Sequence, residues 1–187
     1  MGTPQDGKLY TYADYCEWGD EAHYELIDGH VYILPRTPPW QHQDISGTIL
    51  TQLANFLTGT SCKVFASPFD VRLNADKDDN TVVQPDIVVI CDRSKLSGTG
   101  CIGAPDMVIE ILSPSTASYD MVKKFNLYLQ SGVREYWIVD PSTKIVTAHI
   151  LTNGEYITHP YAATDAAPVH ILDGCKINLQ EVFAELQ

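Results

Sequence analysis

The stretch Val108-Ile-Glu-Ile-Leu-Ser-Pro-Ser115, VIEILSPS, places one glutamate among strong strand formers. Met107 extends the run to MVIEIL, which reads as a strand. Side chains alternate along a strand, so Val108, Glu110 and Leu112 share one face and Met107, Ile109 and Ile111 the other. Glu110 therefore projects from a strand whose neighbours are all apolar. Glutamates are rarely buried unless paired, and an isolated buried carboxylate is costly. Two readings follow. Glu110 faces water on an edge strand or joins a structural ion pair, or it helps bind a cation and has a partner carboxylate.

Two other segments share the unbroken apolar pattern, Ile87–Ile90 (IVVI) and Tyr136–Asp140 (YWIVD). Continuous runs fit strands covered on both faces, so the fold class is α/β, a central mixed β-sheet flanked by helices. Asp28-Gly29 and Asn153-Gly154 each divide two strand-like runs, which gives an N-terminal and a C-terminal hairpin. KVFASPFDVRL and VVQPDIVVIC read as one strand each, and DRSKLSGTGCIGA as a loop. Ile45, Ile49, Leu53, Phe56 and Leu57 mark one face of a helix over His42–Leu57. Residues 10–23 read as a short helix with Gly19 near its end. A further helix runs from Tyr119 to Ser131 and stops at Gly132. LQEVFAEL is a short final helix.

A partner for Glu110 is sought among aspartates with a similar setting. Asp106 precedes it on the same strand by four residues, roughly 13 Å, too far for a shared Mg²⁺ whose ligands lie about 2.1 Å away. Asp86 opens a different apolar strand. If the two strands are neighbours, about 4.8 Å apart, Asp86 and Glu110 converge. Asp106 then reads as a loop or strand-start residue. A cation should complete such a site, because phosphoryl chemistry uses a lysine to hold water or to balance charge at phosphorus. Asp120, Lys124 and Tyr128 fall at i, i+4 and i+8 of the predicted helix. Lys124 borders its apolar stripe; Lys123 is turned away and reads as solvated. The plainer reading of Lys124 is a surface lysine paired with Asp120.

The chain of 187 residues suits one domain spanning 1–187, and its 44% hydrophobic content suffices for a core. No apolar run approaches the roughly 20 residues of a membrane helix. MGTPQDGKLYTY shows no leader pattern, and Asp6 stands where a myristoylation signal takes Ser or Thr, so a cytoplasmic protein is expected. Cys16, Cys62, Cys91, Cys101 and Cys175 are odd in number and lack C-x-x-C spacing. Neither a disulfide framework nor a zinc knuckle is expected, and Cys91 reads as a small core residue. There is no G-x-x-x-x-G-K-[ST] loop, dinucleotide fingerprint or G-x-S-x-G elbow. The net charge of −12 argues against a general nucleic-acid coat.

Asp86, Glu110 and Lys124 in that order resemble a PD-(D/E)xK nuclease core with a displaced lysine. More closely, the chain resembles the Uma2 family, described as putative restriction endonucleases and formerly a domain of unknown function. The matching pieces are YELIDG (24–29), His42 with Ile45 and Ser46, PFDVR (68–72), VQPDI (83–87), VIEILSPST (108–116), Asp120 with Lys124 and Tyr128, and GVREYWIVDP (132–141). They run in order over about residues 8–160. The resemblance implies a restriction-endonuclease-like fold, a divalent metal, Mg²⁺ or Mn²⁺, DNA as substrate and a homodimer. It makes Asp86, Glu110 and the Ile111 carbonyl the metal ligands, and Asp86, Glu110, Lys124 and Glu25 the catalytic set. In the simple motif the lysine stands two residues after the glutamate. That position is Leu112 here, so Lys124 substitutes. Gln84 and Tyr128 stand behind the ligands and orient them. His42 reads as a helix-start or packing residue. Three functions compete: a metal-dependent DNA endonuclease, a non-catalytic binding relative, and a metal-dependent hydrolase of a small phosphorylated substrate. The intact trio favours the first; the acidic charge favours the second.

Overall fold

The computed structural model describes residues 7–18, 23–34, 37–75, 78–113 and 119–186, without the side chains of 119–121. Gly19 and Ser115, and the Asp120 side chain, therefore lie outside the described residues. The chain begins with α1 (Tyr12–Tyr15), whose Thr11 cap accepts from the Asp14 amide while Asp14 reaches back to the Thr11 amide. β1 (His23–Ile27) and β2 (His30–Leu34) form the hairpin expected at Asp28-Gly29. Both turn residues take positive φ, 52° and 76°, as the tight right-twisting hairpin turn requires. α2 (Trp40–Leu57) buries Ile45, Ile49, Leu53 and Leu57, the stripe read from the sequence without Phe56, which is exposed. Six short strands follow: β3 (Lys63–Ala66), β4 (Asp70–Arg72), β5 (Val82–Val83), β6 (Ile87–Ile90), β7 (Gly100–Ile102) and β8 (Met107–Ile111). A π-helical turn (Tyr119–Lys124) then runs into α3 (Phe125–Ser131), which ends at Gly132 in the left-handed region, φ 81°. The remainder is β9 (Glu135–Asp140), β10 (Ile145–Thr152), β11 (Glu155–Ala162), β12 (Ala166–Pro168), β13 (Lys176–Asn178) and α4 (Leu179–Val182).

Two sheets carry the architecture. The larger has six strands in the order β11-β10-β9-β8-β6-β3, and the other five in the order β2-β1-β5-β4-β7. Only β8 and β9 run parallel within the larger sheet, the rest antiparallel. The apolar runs are buried on both faces, as their lack of alternation predicts. Ile87, Val89, Met107, Ile109, Ile111 and Trp137 pack in one cluster with the apolar stripe of α2. Val88, Ile90, Val108, Tyr136 and Ile138 pack in the other with Tyr128 of α3.

The structure differs from the sequence reading at two strands. KVFASPFDVRL and VVQPDIVVIC are each broken in the middle and shared between the sheets: β3 and β6 belong to the larger, β4 and β5 to the smaller. Both breaks fall at proline, Ser67-Pro68 (a cis peptide) and Gln84-Pro85. Proline has no N–H for a sheet ladder, so the chain changes partners there. The two crossings touch, with the Ser67 amide donating to the Asp86 carbonyl at 3.0 Å. The glycine-bearing loop also holds a strand, β7, parallel to β4. Cys91 is not a free core thiol: it is disulfide-bonded to Cys62. Lys63 pairs with Ile90 in the β3–β6 register, which sets Cys62 opposite Cys91 one step beyond. Sequence spacing cannot show such a pairing, because it depends on register.

At Gly100 an added Cβ would lie 1.9 Å from the Asp70 carbonyl oxygen, whereas at Gly47 on α2 it would meet nothing within 4 Å. Gly100→Ala is expected to lower the unfolding free energy in urea by about 1–3 kcal/mol through overpacking. Gly47→Ala is expected to raise it by about 0.5–1 kcal/mol through helix propensity. Wild-type stability in Gly100→Ala would show that the β4–β7 approach is looser than described.

Candidate active site

The β6–β8 ladder pairs Ile87 with Ile109 and Val88 with Val108. Continued by one residue, this register sets Asp86 opposite Glu110, at the point where the chain crosses between sheets. Opposite residues of an antiparallel pair lie about 4.5–5.5 Å apart at Cα. Asp86 keeps 20% of its side chain exposed, while Glu110 is buried at 4%. The Ile111 amide donates to Asp86 Oδ2 at 2.7 Å. The N–H and C=O of one strand residue project to the same neighbour, so the Ile111 carbonyl opens towards Asp86 as well.

Glu110 sits on the face that packs against α3. Its Oε1 accepts from Lys124 Nζ at 2.9 Å and from Tyr128 Oη at 2.7 Å. Lys124, 2% exposed, also lies 3.0 Å from Oε1 of Glu25, which is fully buried on β1. The same Glu25 oxygen accepts from the Gln84 amide at 2.8 Å. Lys124 is thus no surface lysine; its carboxylate partners come from both sheets. It closes the π-helical turn and Tyr128 follows in α3, so the expected i, i+4 pair converges on one oxygen of Glu110. A π turn inserts a residue and re-aims side chains, and such turns gather at functional sites. Burial first, then the charges of Glu110 and Glu25, hold the Tyr128 phenol well above its usual acidity range, which keeps it a neutral donor.

Three further residues belong to this constellation and were not read from the sequence as part of it. His42, at the start of α2, places Nε2 3.1 Å from Asp86 Oδ2. Asp70 accepts from Gln84 Nε2 at 2.9 Å and from Tyr15 Oη at 3.2 Å, and so fixes the amide that lies two residues before Asp86. The signal for His42 and Asp70 was their place in the HxxIS and PFDVR pieces; Tyr15 gave none. Asp106 is kept away from the site, as its distance along the strand predicts. Its Oδ2 accepts from the Cys91 amide at 2.8 Å and its Oδ1 from Arg134 at 3.0 Å, a strand-start role. Leu112 is half-buried against the apolar cluster of α3.

Among the described residues, no three His, Cys, Asp or Glu side chains are arranged to hold a metal by themselves. The donors that the register sets opposite one another are oxygens: the carboxylates of Asp86 and Glu110, with the Ile111 carbonyl on the Asp86 side. Hard oxygen donors suit Mg²⁺ or Mn²⁺ rather than a soft ion. Glu25 and Glu110 together exceed the single Lys124 charge by one, and Asp86 adds to that local excess. The residues therefore fit a divalent cation supported partly by the main chain.

The fold is restriction-endonuclease-like. The architecture matches the crystal structure of a "putative nuclease belonging to DUF820" from Anabaena variabilis ATCC 29413, with a TM-score of 0.77 over 95% of this chain and 99% of that one, at 20% identity. Residues 10–180 match the Uma2 family, described as "Putative restriction endonuclease", and the chain belongs to that family. It is also 30% identical over 156 residues to the uncharacterized protein slr1290 of Synechocystis sp. (strain ATCC 27184 / PCC 6803 / Kazusa), covering 81% of this chain and 80% of that protein.

One titration bears on the helix that carries Lys124. Phe125 packs edge-on against His149 of β10 at 4.9 Å between ring centres. Burial pushes the His149 imidazole down from 6.5 to about 4. The unfolded chain therefore takes the proton first, so this contribution is complete above pH 6.5 and lost as pH falls towards 4. The urea midpoint of the wild type is expected to drop across that window, and His149→Gln to lack this part of the drop. Identical pH profiles for the two proteins would contradict the assignment.

Proposed function

We propose that this chain is a metal-dependent endonuclease that hydrolyses nucleic-acid phosphodiester bonds, with DNA as substrate and Mg²⁺ or Mn²⁺ as the ion. The observation that supports the reading is the buried Lys124 held between Glu25 and Glu110, with Asp86 one register step beyond Ile87 and so opposite Glu110. Asp86, Glu110 and the Ile111 carbonyl hold the cation. When bound, the ion polarises a phosphoryl oxygen and lowers the pKa of water. Lys124 positions the attacking water or balances charge developing at phosphorus, in place of the lysine absent at Leu112. Glu25 holds that ammonium in place. Tyr128 and Gln84 fix Glu110 and Glu25, and His42 orients Asp86. The reading takes residues 1–187 as one nuclease domain acting as a homodimer. It places the protein in the cytoplasm.

The net charge of −12 favours a second reading, a relative that binds without cutting; a metal-dependent hydrolase of a small phosphorylated substrate is the third. Calorimetric Mn²⁺ binding on the wild type and on Glu110→Ala, with supercoiled-plasmid nicking on the same samples, separates the cases. The nuclease reading expects binding and nicking in the wild type and loss of both in the variant. Binding that depends on Glu110 without nicking would transfer the site to small phosphoesters. A wild type that binds no Mn²⁺ would overturn the metal site, leaving Glu110 a structural carboxylate.

A further inference from the structure

Lys123 reads from the sequence as a solvated lysine. The structure instead lays its ammonium over the Tyr32 ring, 4.1 Å from the centre. Tyr32 stands directly opposite Glu25 in the β1–β2 register, so the ring and that carboxylate share one face of the hairpin. Glu25 is the residue that Lys124 meets. Two consecutive lysines therefore close over the same hairpin at two depths, Lys124 buried and Lys123 half-buried towards solvent. Val122 beside them is 62% exposed, so the outer surface of the turn is open.

The two ammonium groups differ in their partners. Lys124 is shared by two carboxylates. Among the described residues no carboxylate pairs with Lys123, whose contact is the tyrosine ring. A ring quadrupole attracts a cation and fixes its position without cancelling its charge. The ring also removes part of the rotamer freedom that a lysine otherwise loses on binding. The result is a pre-set positive charge beside the acidic site of a chain whose overall charge is −12. That arrangement suits an anion arriving at the site, and the anion the site chemistry calls for is a phosphodiester.

We propose that Lys123, propped on Tyr32, binds a backbone phosphate of the substrate adjacent to the one held at Asp86 and Glu110. The proposal rests on the nuclease reading. It makes Lys123 a substrate-binding residue and gives it no part in the bond-breaking step. It also supplies a local answer to the adverse net charge: one anchored cation, next in the chain to Lys124, in place of a basic groove.

The test is fluorescence anisotropy of short labelled DNA, duplex and single-stranded, with Ca²⁺ replacing Mg²⁺ and intact probe checked on gels. Wild type, Lys123→Gln, Lys123→Arg, Tyr32→Leu and Lys8→Gln are titrated over a range of salt. Lys8 also stacks on a tyrosine, Tyr10, but at the far turn of the hairpin, so it removes the same charge elsewhere. Lys123→Gln is expected to weaken binding about five- to ten-fold at low salt and to reduce the slope of log affinity against log salt by about 1. Lys123→Arg should retain wild-type binding, Tyr32→Leu should fall between, and Lys8→Gln should match the wild type. In plasmid nicking, Lys123→Gln should raise KM and leave kcat unchanged. Wild-type affinity and slope in Lys123→Gln, or an equal loss in Lys8→Gln, would overturn the proposal while leaving the nuclease reading standing. A wild type that binds neither form of DNA would overturn both.

Discussion

A single buried ammonium shared by two buried carboxylates governs the arrangement. Glu25 comes from the five-stranded sheet, Glu110 from the six-stranded sheet, and Lys124 from the turn that precedes α3. Removing one partner of such a group leaves an uncompensated buried charge, at a cost of about 3–5 kcal/mol. The two sheets and the helix are therefore tied through one nitrogen. A purely apolar contact would join them at lower desolvation cost, so the retained charges call for a functional explanation.

The second constraint is topological. Pro68 and Pro85 end two strands early, and the chain changes sheets at each. The Pro85 crossing delivers Asp86 to the end of β6, opposite Glu110, while the preceding Gln84 amide holds Glu25. Asp70 and Tyr15 anchor the Gln84 side chain from the far side of the crossing. Asp86 and Glu25 thus each accept from a backbone amide at one junction, those of Ile111 and Gln84. A site supported in this way is held by the fold as well as by its own ion pairs.

Much of this was legible in the sequence, and for specific reasons. The unbroken runs IVVI and MVIEI signalled strands covered on both sides, and Asp28-Gly29 and Asn153-Gly154 marked true hairpins. Glu110 stood out because a carboxylate is improbable among Val, Ile and Leu, and strand rise set Asp106 apart from it. What escaped were features set by long-range pairing. Strands of two or three residues, such as β5 and β7, are too short for periodicity to report. The Cys62–Cys91 bond depends on register across 29 residues. His42 reaches Asp86 from the start of a helix whose apolar stripe explains the rest of its sequence. The π turn has no compositional signature, yet it shapes the approach of Lys124.

The reading of this chain as a working member of its family turns on whether Lys124 and Glu110 act as one buried unit. A double-mutant cycle in unfolding free energy, with Glu110→Gln, Lys124→Met and the pair, measures that most directly. The account predicts a coupling of about 1–3 kcal/mol between the two positions. Additivity within about 0.3 kcal/mol would contradict it, and would return Lys124 to the surface role that its sequence context also permits.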